Sequence, residues 1–185
     1  MDSSGLSDEL LFQKYIKGDV KSFEMLVERF ARPLMGYITR IVRNRTDAED
    51  VLQEVFIKVI RARENFDAGK SFKTWIYTIS HNACVDYLRQ RKPGVSLDAD
   101  WMPEIAVHDN PESIAAGGQL SERLEKALTG IAPDLREVFL LREKSGLSFH
   151  QIAEITSAPL NTVLGRMRQV MTKLRACVEE SNDVG

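Results

Sequence analysis

The sequence predicts an all-α protein of two small helical domains joined by an acidic flexible linker. Three observations carry that expectation. No segment shows the sustained period-two alternation that a half-buried strand requires. Apolar residues instead recur at three- and four-residue spacing behind recognisable helix caps. Finally, residues 93–122 hold six acids (Asp98, Asp100, Glu104, Asp109, Glu112 and Glu122) and neither Lys nor Arg. The same stretch contains Pro93, Gly94, Pro103, Pro111, Gly117 and Gly118, the composition of a linker. The expected divisions are an N-terminal four-helix domain over 1–92, a linker over 93–119, a C-terminal helical domain over 120–178 and a tail over 179–185.

The N-terminal helices follow from caps and periodicity. Ser7 caps a first helix that runs through Lys17 and ends at Gly18. Asp19 caps the second, whose buried face is Phe23, Leu26, Val27, Phe30, Leu34, Tyr37, Ile38 and Ile41. Pro33 lies inside this pattern and predicts a kink or a break near Ala31. Thr46 with Glu49 reads as a capping box that opens a third helix through about Arg63. Ser71 caps a fourth helix that runs to about Arg91.

In the C-terminal block, Ser148 and Gln151 form a capping box for a short helix to about Ile155. Thr156 to Ala158 make a turn, and Pro159 suits the opening of the next helix. Val163, Met167, Val170 and Leu174 give that helix one apolar stripe, with Arg166, Arg168, Lys173 and Arg175 off it. Two short helices joined in this way read as a helix-turn-helix, whose second helix fits the major groove of B-DNA. An ordinary helical hairpin with a solvated basic face is the plainer reading of the same stretch.

Composition removes several classes of function. The 185 residues contain 43% hydrophobic and 8% aromatic side chains, enough for a core. No apolar run approaches the roughly 18 residues needed to span a bilayer, and Met1 to Gly5 show no basic–apolar signal pattern. The chain is therefore expected in the cytoplasm, without direct membrane insertion. Cys84 and Cys177, the two cysteines, make no disulfide framework. The net charge of −2 divides into about +3 over 1–92, −6 over 93–122 and +1 over 123–185. Mildly basic blocks thus flank an acidic one.

Two helices carry patterns beyond a core face. On the third, Val51, Leu52, Val55, Phe56, Val59 and Ile60 make the apolar stripe. Asp47, Asp50, Glu54, Lys58 and Arg61 lie opposite, with Ile57 an aliphatic residue among the charges. That side is either a solvated face or a small protein–protein patch with an apolar centre and a charged rim. On the fourth, Phe72, Ile76, Ile79 and Ala83 define a core face bordered by Trp75 and Asn82. Tyr77, Cys84 and Leu88 lie elsewhere, and Arg89, Arg91 and Lys92 form a basic end. Rings, an amide and cations together suit unpaired nucleic acid, through stacking, base-edge hydrogen bonds and phosphate contacts. Trp75 is better read as core, and Tyr77 fits either reading.

His81 and Cys84 sit at i and i+3 and raise the question of a nucleophile or half a metal site. The sequence offers no second ligand pair at suitable spacing, no Gly-rich phosphate loop and no paired carboxylates in a plausible cleft. No catalysis, metal or cofactor is expected. A non-enzymatic rival is a free-standing helix-turn-helix regulator with a ligand- or partner-sensing N-terminal domain.

Three separated stretches agree on one family. Asp47-Ala-Glu-Asp-Val-Leu-Gln-Glu-Val-Phe56 and Phe72-Lys-Thr-Trp-Ile-Tyr-Thr-Ile-Ser-His-Asn-Ala-Cys-Val-Asp-Tyr-Leu-Arg89 resemble the core-binding and promoter-melting segments of bacterial sigma factors. Ile131-Ala-Pro-Asp-Leu-Arg-Glu-Val-Phe-Leu-Leu-Arg142, then Leu147-Ser-Phe-His-Gln-Ile-Ala-Glu154, resemble the start of that family's C-terminal domain. The likeness is to the extracytoplasmic-function (ECF) group of the sigma-70 family and covers roughly residues 8–176, in the family's order and spacing.

The resemblance implies a specificity subunit that works with core RNA polymerase and promoter DNA. Asp47, Asp50, Gln53 and Glu54, with Ile57 at the centre of the patch, would contact the clamp of the largest polymerase subunits. The loop Glu64 to Ser71 and the fourth helix would open and read the −10 element on the non-template strand. Phe66, Tyr77, Ile79 and Asn82 match the pocket for a flipped base, with Lys70, Lys73, Arg89 and Arg91 holding phosphates. Flipping costs a few kcal/mol of stacking, so a ring and an amide suit such a pocket. Asn161, Thr162, Arg166, Arg168 and Lys173 would read the −35 element as duplex. The acidic linker would thread near the polymerase active centre or the RNA exit path. An anti-sigma factor, commonly membrane-anchored, is the implied regulatory partner. Leu164, Gly165, Gln169 and Met171 depart from the family's pattern of cations and a Ser, which weakens the phosphate contribution at −35. Leu164 and Met171 are alternatively a surface for a protein partner.

Overall fold

Residues 5–67, 69–91 and 127–180 are described by a computed structural model, with side chains to residue 176. Acids and glycines of the expected linker lie outside these residues. In helix α1, Asp8–Ile16, the Ser7 hydroxyl accepts from the Leu10 amide at 3.3 Å, as the sequence predicts. Gly18 follows at φ 101°, a left-handed turn that glycine adopts without strain.

Helix α2 spans Val20–Val42 without the break expected near Ala31. Pro33 removes a single donor, the one that would reach the Arg29 carbonyl. Leu26 and Phe30 before it, and Leu34, Tyr37, Ile38 and Val42 after it, are all buried in one core that holds both halves. Packing outweighs the lost hydrogen bond.

The connection to α3, Arg45–Arg61, differs from the expected Thr46–Glu49 box. Arg43 takes a left-handed conformation (φ 62°) that swings Asn44 into extended backbone. The Asn44 side chain then accepts from the Asp47 amide at 3.1 Å and caps the helix two residues early. A short 3-10 turn, Arg63–Asn65, follows α3. Helix α4, Phe72–Arg91, begins where expected: the Ser71 hydroxyl accepts from the Thr74 amide at 3.3 Å. A second acceptor comes from α1, whose Glu9 carboxylate takes the Phe72 amide at 3.0 Å. An acid at a helix N-terminus also suits the helix dipole.

The C-terminal unit opens with α5, Pro133–Phe139, which continues as a wide π-type turn over Leu140–Lys144. Gly146, at φ 64°, reverses the chain. Helix α6, Phe149–Thr156, carries the Ser148–Gln151 capping box in both directions, at 3.3 and 2.9 Å. Ser157 ends it in a left-handed conformation, and α7 runs over Leu160–Glu180.

Helices α1 to α4 pack together in the N-terminal unit, and α5, α6 and α7 in the C-terminal one. The two units do not stand apart: α6 packs on α4, and the π turn packs on α2. One continuous apolar cluster runs from Leu11 and Phe12 to Val170 and Leu174.

Candidate nucleic-acid and partner interfaces

Helix α3 separates cleanly into two faces. Ala48, Val51, Val55 and Val59 are buried, while Asp50, Gln53 and Ile57 are exposed and Asp47 and Glu54 half-buried. Ile57 keeps 40% of its surface in water. Asp47 accepts from Arg91 of α4 at 2.9 Å, and Lys58 lies 3.4 Å from Asp86 of the same helix. These exposed pairs orient the helices more than they stabilise them.

The residues expected at the −10 element scatter in environment. Ile79 is half-buried, and Asn82, one helical turn further on the same face, is exposed. Lys70, Arg89 and Arg91 are exposed and Lys73 is half-buried. Phe66 packs in an aromatic cluster, its ring 5.1 Å from Phe12, 5.1 Å from Trp75 and 5.9 Å from Phe72. Trp75 shares that cluster, as the core reading predicts. Tyr77 points inward and is only 1% exposed. Its ring meets Tyr37 edge-on at 5.6 Å, and its hydroxyl lies near the Ser145 side chain. In this arrangement Ile79 and Asn82 offer a surface to a base, whereas Tyr77 is covered.

Beside Tyr37, which meets the Tyr77 ring, lies a polar cluster that the sequence did not reveal. The Glu137 carboxylate accepts from the Tyr37 hydroxyl at 2.5 Å and pairs with His81 Nδ1 at 2.6 Å. Glu137 and His81 side chains are only 14% and 17% exposed. Burial works against the carboxylate, but His81, the Tyr37 hydroxyl and the Arg166 charge outweigh it and hold Glu137 below its ordinary range. For His81, the Glu137 carboxylate likewise outweighs burial and raises the imidazole above its usual value. Burial also pushes the nearby Cys84 thiol well up, so it is no nucleophile at neutral pH.

Further links surround this cluster. Gln151 Nε2 donates to Thr74 Oγ1 at 2.8 Å, and Lys70 lies 3.9 Å from Glu154. The buried Arg136 guanidinium donates to the Arg40 carbonyl at 3.2 Å and to the Ile131 carbonyl at 2.9 Å. Arg40 lies in the last turn of α2, where a cation also suits the helix dipole.

On α7, Val163, Val170 and Leu174 are buried and Met167 packs against the core, so the predicted stripe faces inward. Asn161, Thr162, Arg168 and Lys173 are exposed on the other side. Arg166 is half-buried and paired with Asp134 at 3.0 Å. Leu164 is 37% exposed, and a Cβ added to Gly165 would meet open space. Met171 packs against the core instead of facing outward.

Comparison with known proteins adds independent findings. The sigma-70 region 2 family profile matches residues 26–93. An ECF RNA polymerase sigma-E factor of Haemophilus influenzae is 34% identical over 171 residues, 88% of this chain and 90% of the relative. The structure of CnrH in complex with the cytosolic domain of CnrY aligns at TM-score 0.70 and 22% identity, covering 94% of this chain and 97% of that one. The sigma factor RpoE from Bartonella quintana, solved with the anti-sigma factor NepR, aligns at TM-score 0.69 and 22% identity, covering 86% and 98%. At that identity the two structural likenesses are likenesses of fold.

Proposed function

The chain belongs to the ECF group of sigma-70 factors, and from that premise we propose that its exposed faces divide the work of promoter recognition. As a sigma factor it associates with core RNA polymerase and directs promoter-specific initiation. The observation that carries this is the extended match to sigma-E factors over nearly the whole chain. A free-standing helix-turn-helix regulator is set aside, because the N-terminal domain is that of a sigma factor.

The outer face of α3 is our candidate for the core-polymerase contact. Ile57 supplies an apolar centre, and Asp47, Asp50, Gln53 and Glu54 supply the rim. The loop 64–71 and α4 are assigned to the −10 element, with Phe66, Tyr77, Ile79 and Asn82 receiving a flipped base. Lys70, Lys73, Arg89 and Arg91 would hold the strand's phosphates. Helix α7 is assigned to the −35 duplex through Asn161, Thr162, Arg166, Arg168 and Lys173. Residues 1–92 and 120–178 act as the two reading domains, and 93–119 as the tether between them.

The role is regulatory, without catalysis of its own, and the site of action is the cytoplasm, alongside polymerase. No described helix is long and apolar enough to cross a membrane. An anti-sigma factor, the kind of partner named in the Bartonella complex, is the regulator assigned to this chain. The deciding experiment is transcription in vitro from genomic promoter fragments by core polymerase with and without the chain. Transcripts that start at defined promoters only when the chain is present are expected. Absence of such transcripts, with tight duplex binding by the free protein, overturns the reading.

A further inference from the structure

Helix α7 carries its buried row, Val163, Val170 and Leu174, on one side. The helical period fixes what lies opposite. Asn161, Gly165, Arg168 and Thr172 run down the centre of the outward face, three and four residues apart. Leu164 flanks that line, one turn after Asn161 and one turn before Arg168, and all three of these side chains are exposed. Scattered exposed leucines are ordinary, so exposure alone says little. The surroundings of Leu164 say more. Its neighbour Gly165 stands inside a helix, where glycine is unfavourable. A Cβ at Gly165 would meet nothing within 4 Å, so no contact within the chain requires the missing side chain. Close approach of the backbone to a ligand is a reason for such a glycine.

We propose that Leu164 reads a thymine of the −35 duplex through its C5-methyl group, and that Gly165 supplies the clearance that brings α7 close enough. The inference deepens the −35 assignment of α7 made above and rests on it. In a helix-turn-helix the N-terminal part of the second helix meets base edges, and Leu164 lies near the start of α7. The major groove offers a leucine there one apolar partner. Guanine, adenine and cytosine present acceptors and amino groups, and thymine alone presents a methyl group. An aliphatic side chain set against acceptors or amines strips their water without replacing its hydrogen bonds. Set against a methyl group, it buries apolar surface on both sides. The cations fit this placement: Arg168, Lys173 and Arg175 are exposed further along the helix, where phosphates border the groove.

A protein-docking role for Leu164 has less behind it. Such a site is built on contiguous apolar surface inside a polar rim. Around Leu164 the exposed neighbours are Asn161, Thr162 and Arg168, and Met171 packs against the core. Among the described residues of α7, Leu164 is the one large apolar side chain that stands exposed. An isolated aliphatic finds its complement in a single methyl group more readily than in a protein surface.

The test uses holoenzyme containing the full chain, on a promoter fragment that it transcribes, with the −35 window randomised and the transcribed templates sequenced. The wild-type chain should select thymine at one position or more. Replacing that thymine by deoxyuridine removes the methyl group and keeps every hydrogen-bonding group. Promoter use should then fall about fourfold, the worth of one methyl-sized contact. In Leu164→Ala the thymine preference should fade, and deoxyuridine should cost less than about 1.5-fold. Alanine is a good helix former at an exposed position, so this variant should melt as the wild type does. Gly165→Leu should melt at the same temperature or higher, because leucine favours the helix and nothing stands within 4 Å. It should nevertheless lower use of the wild-type −35 element about tenfold.

An equal deoxyuridine loss in wild type and Leu164→Ala overturns the inference and leaves the −35 assignment standing. Unaltered base selection by Leu164→Ala does the same, and loss of affinity for a protein partner in that variant then makes Leu164 a partner contact. Full promoter use by Gly165→Leu overturns the close approach. If the wild-type chain shows no base preference anywhere in the window, the −35 assignment of α7 itself falls.

Discussion

The outer face of α3 and the reading face of α4 lie in one four-helix unit and reach solvent very differently. On α3, the apolar row Val51, Val55 and Val59 is spent on the core, and Asp50, Gln53 and Ile57 stand in water. On α4, Asn82 is exposed, but Tyr77 and Thr74 are buried beneath the C-terminal unit. The chain thus presents the proposed protein-docking surface in full beside a proposed nucleic-acid surface that is only partly open. Exposure of a residue in an isolated chain is therefore a poor guide to whether it takes part in binding.

The strongest way to break this comparison is to remove the support under the α4 face. Phe12 packs on Phe66, Phe72 and Trp75 at ring distances of 5.1, 4.8 and 5.2 Å. Phe12→Ala should cost about 3–5 kcal/mol, read by chemical denaturation, by leaving a cavity under the loop and α4 together. A loss below about 1 kcal/mol would mean that the cluster does not support the loop. Next in size is Asp50→Arg on α3. Holoenzyme assembly should weaken tenfold or more, about 1.4 kcal/mol per decade, while the melting temperature stays within a degree or two. A binding titration against core polymerase checks this, and unchanged affinity removes Asp50 from the contact.

Asn82→Ala sharpens the contrast from the other side. Open-complex formation at promoters used by the holoenzyme should fall about tenfold, near 1.4 kcal/mol, with core affinity unaltered. Permanganate footprinting separates the two, and an equal loss of core binding contradicts the assignment.

A pH titration tests the cover over Tyr77. His81 is raised above 6.5 in the folded chain, so its contribution is fully present below 6.5 and is lost as pH rises through the raised value. Glu137 is lowered below 4.5, so its contribution is present above 4.5 and is lost as pH falls through the lowered value. The contact should be firmest between about 4.5 and 6.5 and loosen toward alkaline pH. Tyr37 and Cys84, which face the same carboxylate, are both pushed up and stay neutral there. Amide exchange on residues 72–81 should quicken as pH passes upward through the His81 transition, beyond the intrinsic base-catalysed rise. The smallest effect is on α7: Arg168→Ala should reduce the salt dependence of −35 duplex binding by about one unit of slope. An unchanged slope places Arg168 away from phosphate.

Legibility in the sequence followed the reach of the interactions. The Ser148–Gln151 box and the Ser7 and Ser71 caps were readable because a cap spans three residues. The inward rows of α3 and α7 were readable because the helical period places them without knowledge of a partner. The errors had tertiary causes. Pro33 was expected to kink or break α2, and there is no break, because the shared core around Phe30 and Leu34 holds the helix together. Thr46 was expected to cap α3, but the left-handed Arg43 hands that role to Asn44. Of the two residues offered as an alternative partner surface, Met171 packs on the core.

Local chemistry by itself determined the all-α class, the helix-turn-helix, the acidic face with Ile57 at its centre and the family likeness. Caps, periods and motifs are all written within a few turns of chain. Only the tertiary structure decided what stands over α4. Glu137 meets Tyr37 across 100 residues and His81 across 56, and Gln151 meets Thr74 across 77. A lone His on a helix and a lone Glu beside an Arg carry no trace of each other in sequence. Their encounter depends on how the two units pack, and the energy of that packing is set by surfaces that no local pattern encodes.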